Sequence, residues 1–405
     1  MAGQSFALGA KPRVLVLATR VPLESGDGTP SFVLDNAAAL SDEFDITILA
    51  PRVRGSSAVS THGGLTVKRF AYFPARWERL ADDAMMPQLG ANPMLWLQAA
   101  PLVAMLLWHA RQEHRERPVA LIHAHWIVPA GLVAAAMRHL YAIPYITTSQ
   151  GADAFRLNRW PLHALKQAIV ERSARFVGVS RDIVEQFPRS SCTVEVQPSG
   201  IDFGAWEHTA EQDGPPRRAV LFVGRLAAKK GVADAIRAVT RLDGVELRIV
   251  GDGPLERELR MLAGSELVGE RVTFLGRRNR SEVAQEMRSA LCLVIPSVTA
   301  ADGDRDGTPS VLGEAIAAGL PVVASDIAGL SEFVVDGETG RLHDPGDVEG
   351  LSSALQSVID NPDLSARLAK DARARFATVF DIRQVAQRYA GWYREAISMS
   401  KGTSA

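Results

Sequence analysis

Cysteine is scarce, with only Cys192 and Cys292 among 405 residues. A disulfide-stapled scaffold and an all-thiolate zinc cluster are thereby excluded, and both thiols are expected to be reduced and set in apolar surroundings. Net charge is equally scarce. Lys and Arg number 45 against 46 Asp and Glu, a balance of −1 that creates no overall field for nucleic acid. The halves differ slightly: residues 1–200 carry 20 basic and 16 acidic side chains and the rest carry 25 and 30, so the first half is the expected home of an anionic partner. Long apolar runs are also missing. The most lipid-like stretch, Met94 to Ala110, is interrupted by Gln98 and Pro101 and is expected to be too short to span a bilayer. The start, MAGQSFALGAKPR, has no charged segment followed by a long apolar one, so secretion is not indicated. A cytoplasmic location is expected, with peripheral contact at the inner face of the membrane.

What is present is alternation. Runs of strand length, RVLVLAT (13–19), DITILAP (45–51), LIHAHW (121–126), PYITTSQG (144–151) and RFVGVS (175–180), are separated by apolar segments of helical length. Periodicity then fails and charge and proline rise over residues 205–218, which reads as a linker. Alternation resumes with AVLFVGRL (219–226), ELRIVGDGP (246–254), RVTFLG (271–276), LCLVIPS (291–297) and PVVASD (321–326). Continuous apolar strands alternating with helices imply parallel sheets covered on both faces. The reading is two doubly wound α/β domains, residues 1–204 and 205–379, with a ligand site at the carboxyl ends of their strands, in the cleft between them.

The strand ends carry the chemistry. AVLFVGRLAAKKG supplies Gly224, Arg225 and Lys230, a planar fork and a point charge suited to two linked phosphates. Gly251, Asp252 and Gly253 form a tight turn after their strand. In DGDRDGTPSVLGEAIAAGLPVVAS (302–325), Thr308 is expected to cap a helix that opens with Pro309 and ends at Gly319. The amides of Thr308, Ser310 and Val311 would then face the cleft with the positive end of the helix dipole. Glu314, one turn deeper, suits a diol. Asp302, Asp304, Asp306 and Gly307 imitate the start of a calcium loop, but the twelfth position is Gly313 rather than a bidentate Glu, and a helix already begins inside the loop.

Arg225 and Lys230 five residues apart, GDG at 251–253, the acid at 306 separated from Glu314 by seven residues, and the AxGxPVVAS run with Gly329 and Glu332 together resemble the donor domain of retaining glycosyltransferases of family 4. The resemblance implies the GT-B architecture, two Rossmann-like domains facing a cleft, with a final helix at about 380–400 crossing back onto the first domain. It further implies a transferase acting in exopolysaccharide or other surface-glycan synthesis. By that likeness Arg225 and Lys230 would hold the donor diphosphate, Glu314 the ribose, Asp306 the hydroxyls of the sugar, and the backbone near Arg277 the base. No metal or other cofactor is implied. The family usually has Glu where this chain has Asp306, a side chain one methylene shorter.

In the first half the loop ESGDGTPS, with Gly26 and Gly28, resembles the family's glycine loop near donor phosphate and acceptor. Strand alternation places His123 and His125 on one side, with His125 nearer the cleft and the better candidate for catalysis. The family's THGxD element is TSQGAD here, so Gln150 replaces a histidine while Gly151 and Asp153 match. Lys68 to Leu80 and the run through Trp96, Trp108 and Arg111 interleave aromatic and basic residues, the expected seat of an anionic membrane or a lipid-linked acceptor. Two other functions fit the same architecture: a nucleotide-sugar epimerase or hydrolase, and a module that binds nucleotide sugar without catalysis.

Overall fold

The computed structural model describes residues 11–23, 31–82, 85–156, 160–188, 190–207, 217–266 and 269–402. Gly26 and Gly28 lie outside them. The first domain contains β1 (Arg13–Leu17), β2 (Asp45–Pro51), β3 (Val59–His62), β4 (Leu65–Phe70), β5 (Leu121–His125), β6 (Tyr145–Ser149), β7 (Arg175–Gly178) and β8 (Thr193–Val196). Their spatial order is β3-β4-β2-β1-β5-β6-β7-β8. The second domain contains β9 (Ala219–Val223), β10 (Glu246–Val250), β11 (Val272–Gly276), β12 (Cys292–Ile295), β13 (Val322–Ser325) and β14 (Arg341–His343). It forms an all-parallel sheet in the order β11-β10-β9-β12-β13-β14. In both sheets the order reverses beside the first strand, between β1 and β5 and between β9 and β12. Such a switch point opens a crevice at the strand ends.

One edge departs from the expected parallel pattern. β3 runs antiparallel to β4 through a turn at Gly63 and Gly64, both with positive φ. Its residues alternate between exposed and half-buried, so no apolar run announces it in the sequence. The central strands β1, β5, β6 and β7 are buried along their whole length, as the continuous runs imply. Cys292 is buried in β12 and Cys192 partly buried, and both are free thiols.

The chain crosses between domains twice at one point. Ile201 N–H donates to Phe380 O at 2.7 Å, and Ile382 N–H to Ile201 O at 2.9 Å. Beyond this crossing the helix Ile382–Gly402 lies on the first domain. Its Val385, Ala386, Tyr389, Tyr393, Ala396 and Ile397 recur at three- and four-residue spacing and bury into one core with Val16, Ile48, Leu121 and Ile146.

The helix Trp96–Glu116 is longer than the interrupted sequence suggests, and it passes through Pro101 without ending. Pro93–Glu116 is long and apolar enough, by length and composition, to cross a membrane. It nevertheless buries Gln98, Leu102, Leu106, Ala110 and Glu113 along one face. Gln98 accepts from Arg79 N–H and Leu80 N–H at 3.2 Å, and Glu113 pairs with Arg13 at 2.5 Å and Lys68 at 2.6 Å. Those polar contacts fasten this face to the domain.

Candidate active site

Both sets of strand ends open onto one cavity of about 1020 Å³. The second domain contributes Gly224 and Arg225 after β9, Gly251 and Asp252 after β10, and Arg277 and Arg280 after β11. Lys230 enters from the short turn Ala228–Lys230, and Pro309, Ser310, Val311 and Glu314 from the helix that follows β12. Opposite stand Arg20 after β1, Phe32 and Asp35 of the helix Phe32–Ala39, Trp126 after β5 and Asp153 after β6.

Close backbone approach shapes the donor side. Gly251 has φ +125°, and a Cβ there would fall 1.9 Å from Gly224 O, so glycine is required for the β9 and β10 ends to meet. Arg277 Nε sits 2.6 Å from Asp252 Oδ2, joining the GDG turn to the corner after β11. Gly253 does not line the cavity. Its Cβ would fall 2.4 Å from Leu226 O, so it serves the packing of the turn.

The helix Ser310–Ala318 starts one residue later than expected, with Pro309 in extended conformation at its cap and Gly319 left-handed at its end. Thr308 does not cap it. Its hydroxyl donates to Val179 O of the first domain at 2.6 Å. The first amides of the helix have no partner within it and bring the positive end of its dipole to the cavity. One turn deeper Glu314 is partly buried, and burial pushes its carboxyl up to about 7, with Arg280 opposing the rise and Asp35 adding to it.

Asp306 is buried and is not among the residues that line the cavity. Its carboxylate lies 2.7 Å from Lys230 and 3.3 Å from Lys229, and Ser297 Oγ donates to it at 3.0 Å. Burial alone would raise its pKa, but the two lysines outweigh that effect and hold it below the usual range. Lys229 also approaches Asp304 at 3.4 Å. The KK doublet was visible in sequence; its sharing of one buried acid was not.

The remaining acids of the loop clasp the first domain. Asp302 and Asp304 grip Arg156 at 2.5 and 3.2 Å, and Arg305 meets Asp182 at 2.8 Å. Gly307 packs under Val179 and Ile183, where a Cβ would fall within 2.7 and 2.9 Å of their side chains. Gly151, φ +126°, faces Gly307 N across the same seam, and Gln150 O lies beside it. On the other side of the cavity Arg280 pairs with Asp35 and donates to Ser31 Oγ at 2.5 Å. Among the described residues no group of three or more His, Cys, Asp or Glu is arranged to hold a metal ion.

The two histidines share one side of β5, as alternation implied, and neither lines the cavity. His123 belongs to the crossover interface: its Nδ1 lies 2.6 Å from Tyr393 Oη and its Nε2 2.8 Å from Thr148 Oγ1, which in turn contacts Tyr389 Oη at 3.1 Å. His125 stacks on His123 at 4.3 Å and sits behind Phe32 and Trp126, whose rings approach it at 6.1 and 6.2 Å. Burial pushes its pKa down to about 3, so it is neutral, and its Nδ1 is buried without a hydrogen-bond partner. Asp153 lines the cavity but has its oxygens taken by Ile127 N–H at 2.8 Å, Ser149 Oγ at 2.9 Å, and the Gln150 and Gly151 amides at 3.2 Å. It ties the loop after β6 to the loop after β5.

A family model described as glycosyl transferases group 1 matches residues 207–375, and one described as Glycosyltransferase Family 4 matches residues 26–204. The glycogen synthase of Mycobacterium tuberculosis is 33% identical over 292 residues, covering 68% of this chain and 69% of that protein. A putative colanic acid biosynthesis glycosyltransferase of Salmonella typhimurium is 32% identical over 49% of this chain and 50% of its own. Among solved structures, Anabaena HepE in complex with UDP-glucose superposes with a TM-score of 0.70 at 20% identity, covering 96% of this chain and 99% of that one.

Proposed function

Because the chain belongs to the GT-B glycosyltransferases, a family 4 domain followed by a group 1 domain, we propose that it transfers a sugar from a nucleoside diphosphate donor to a glycan or lipid-linked acceptor, with retention of configuration and no metal ion. The synthesis of a polysaccharide or surface glycoconjugate is the process this serves. One observation carries the reading: Arg225, Lys230, the open amides at Ser310 and Val311, and Glu314 line a single cavity between the domains.

Transfer breaks the bond between the anomeric carbon and the diphosphate oxygen, and the electron pair leaves with the diphosphate. Negative charge grows there, so preorganised donors aimed at it lower the barrier. Arg225 and Lys230 supply cations and the site helix supplies amides. The acceptor hydroxyl attacks the short-lived oxocarbenium ion from the face that the diphosphate has just left. Its proton passes to the departing phosphate oxygen. Neutral, buried His125 takes no part as a charged group in this scheme. Glu314 accepts from the ribose diol, and the Arg277 corner meets the base.

The test is a thermal-shift screen with UDP-, GDP- and ADP-sugars, followed by transfer assays in EDTA. Selective stabilisation by one nucleotide sugar is expected, because a ligand that binds only the folded chain raises its apparent stability. UDP-glucose is the first donor to try, as the ligand of the HepE structure. Strict dependence on Mn²⁺ would overturn the metal-free scheme. Turnover of donor with no acceptor present would instead favour an epimerase or hydrolase.

A further inference from the structure

The groups assigned to the donor diphosphate and ribose come from the second domain. Part of the wall supplied by the first domain differs in character. Leu80, Leu89, Ala99, Leu102 and Val103 line it, and none of these side chains offers a hydrogen bond. Leu80, Leu89 and Leu102 are buried, so this is a recess in the first domain rather than a flat surface. Trp96, Leu162 and Leu165 also line the cavity and remain 48%, 40% and 37% exposed, so some of its apolar lining faces solvent. From Trp96 to Val103 the wall follows one helix for seven residues, about 10 Å at the rise of an α-helix.

Resting on the glycosyltransfer reading, we propose that this recess holds the aliphatic chain of the acceptor, so that the second substrate is an amphiphile whose sugar or phosphoryl head reaches the donor end. Continuity is the first argument. An occupant of the recess adjoins the space beside Arg225, Lys230 and Glu314, so it belongs to the substrate that meets the donor. Chemistry is the second. A free glycan seated against Leu80, Leu89, Leu102 and Val103 would leave its hydroxyls without partners, whereas methylene groups gain by leaving water. The third is exposure: Trp96, Leu162 and Leu165 line the cavity yet stay partly exposed, so part of its apolar lining is open to a chain arriving from outside. The buried polar contacts of Gln98 and Glu113 hold the helix in the domain, so the wall stays in place while the chain slides along it.

The probe is dodecyl glucoside below its micellar concentration, with free glucose as the control, titrated calorimetrically into the full chain with and without UDP. Binding of the alkyl glucoside and not of glucose is expected. Leu162→Arg and Leu165→Arg, at partly exposed positions that tolerate a long side chain, should weaken it at least tenfold. Leu97→Ser, on an exposed residue of the same helix outside the cavity wall, should leave it unchanged. In all three variants the thermal shift produced by the nucleotide sugar should equal that of the parent chain. Absence of alkyl-glucoside binding, or binding indifferent to Leu162→Arg and Leu165→Arg, while the nucleotide-sugar shift persists, overturns this assignment alone. Absence of any nucleotide-sugar shift in the parent chain overturns the glycosyltransfer reading itself.

Discussion

Lys230 Nζ lies 2.7 Å from Asp306 Oδ2, and that carboxylate is shared with Lys229. A cation offered to the donor diphosphate is thus fixed in position by an acid behind it. Such bracing reduces the reorganisation needed when charge appears on the leaving group. Lys230→Ala should lower kcat/KM by ~3 kcal/mol in transition-state terms, roughly a hundredfold. Steady-state kinetics with the best donor from the screen measure it, and near-normal turnover would remove Lys230 from the chemistry.

The same pair sets an acid limit on stability. Asp306 is held below the ordinary carboxylate range in the folded chain. A depressed folded pKa gives stability that is complete above the unfolded value, about 3.9, and is lost as pH falls through the folded value. Thermal midpoints taken from pH 6 downwards should fall steeply below that point. In Asp306→Asn the part of the slope owed to this group should vanish.

Glu314 behaves in the opposite sense. Its folded pKa, up at about 7, exceeds the unfolded value, so the free protein loses stability from this group as pH rises from the unfolded value towards 7. A ribose diol donating to Glu314 needs the carboxylate. Nucleotide-sugar affinity should therefore weaken as pH drops below 7, and binding near pH 7 should release a proton. Calorimetry in buffers of different ionisation enthalpy reads that proton directly, and Glu314→Gln should abolish it.

Tyr393→Phe should separate the crossover helix from the chemistry. The lost hydroxyl leaves the buried His123 Nδ1 without its 2.6 Å partner, an expected cost of about 1–3 kcal/mol. The thermal midpoint should fall while nucleotide-sugar affinity stays within a factor of two or so, since none of the residues of the network lines the cavity. A large loss of donor affinity with no change in midpoint would contradict this division.

Much of the fold was legible because buried parallel strands must be apolar throughout. β9, β12 and, after Arg13, β1 appear in the sequence as uninterrupted apolar runs, and the residues at their ends follow from topology. β3 was illegible because an exposed antiparallel edge alternates too weakly. At the site, Arg225, Lys230, Ser310, Val311 and Glu314 line the cavity from which a donor site was expected. His123 does not line the cavity, because strand alternation fixes a side but not what covers it, and here the cover is a helix some 260 residues away in the chain. The clasp of Arg156 by Asp302 and Asp304 was unreadable for the same reason. Within the aromatic and basic stretch expected to face a membrane, Lys68 and Arg69 are tied inward, to Glu113 at 2.6 Å and to Pro22 O at 2.6 Å, which only the fold reveals.

Trp77 stays exposed with the Arg76 guanidinium 4.1 Å above its ring, and Met94, Leu97 and Trp108 are exposed as well. Peripheral contact with an anionic membrane, proposed through these residues, has a direct test. Flotation with vesicles containing phosphatidylglycerol should carry the chain upwards, and Trp77→Ser with Leu97→Ser should leave it at the bottom. A parent chain that never floats would remove membrane contact while leaving the recess to be judged by its own titration.

The return of the helix Ile382–Gly402 onto the opening half of the chain has a consequence for biosynthesis. Tyr389, Tyr393 and Ala396 complete a core begun by Val16 and Ile48, yet they leave the ribosome long after those residues. At about 5–20 residues per second the amino-terminal half waits some tens of seconds with one flank of its sheet uncovered. Premature termination before Ile382 should therefore expose that flank for good, so that the earliest-made half aggregates even though every strand it needs has been translated.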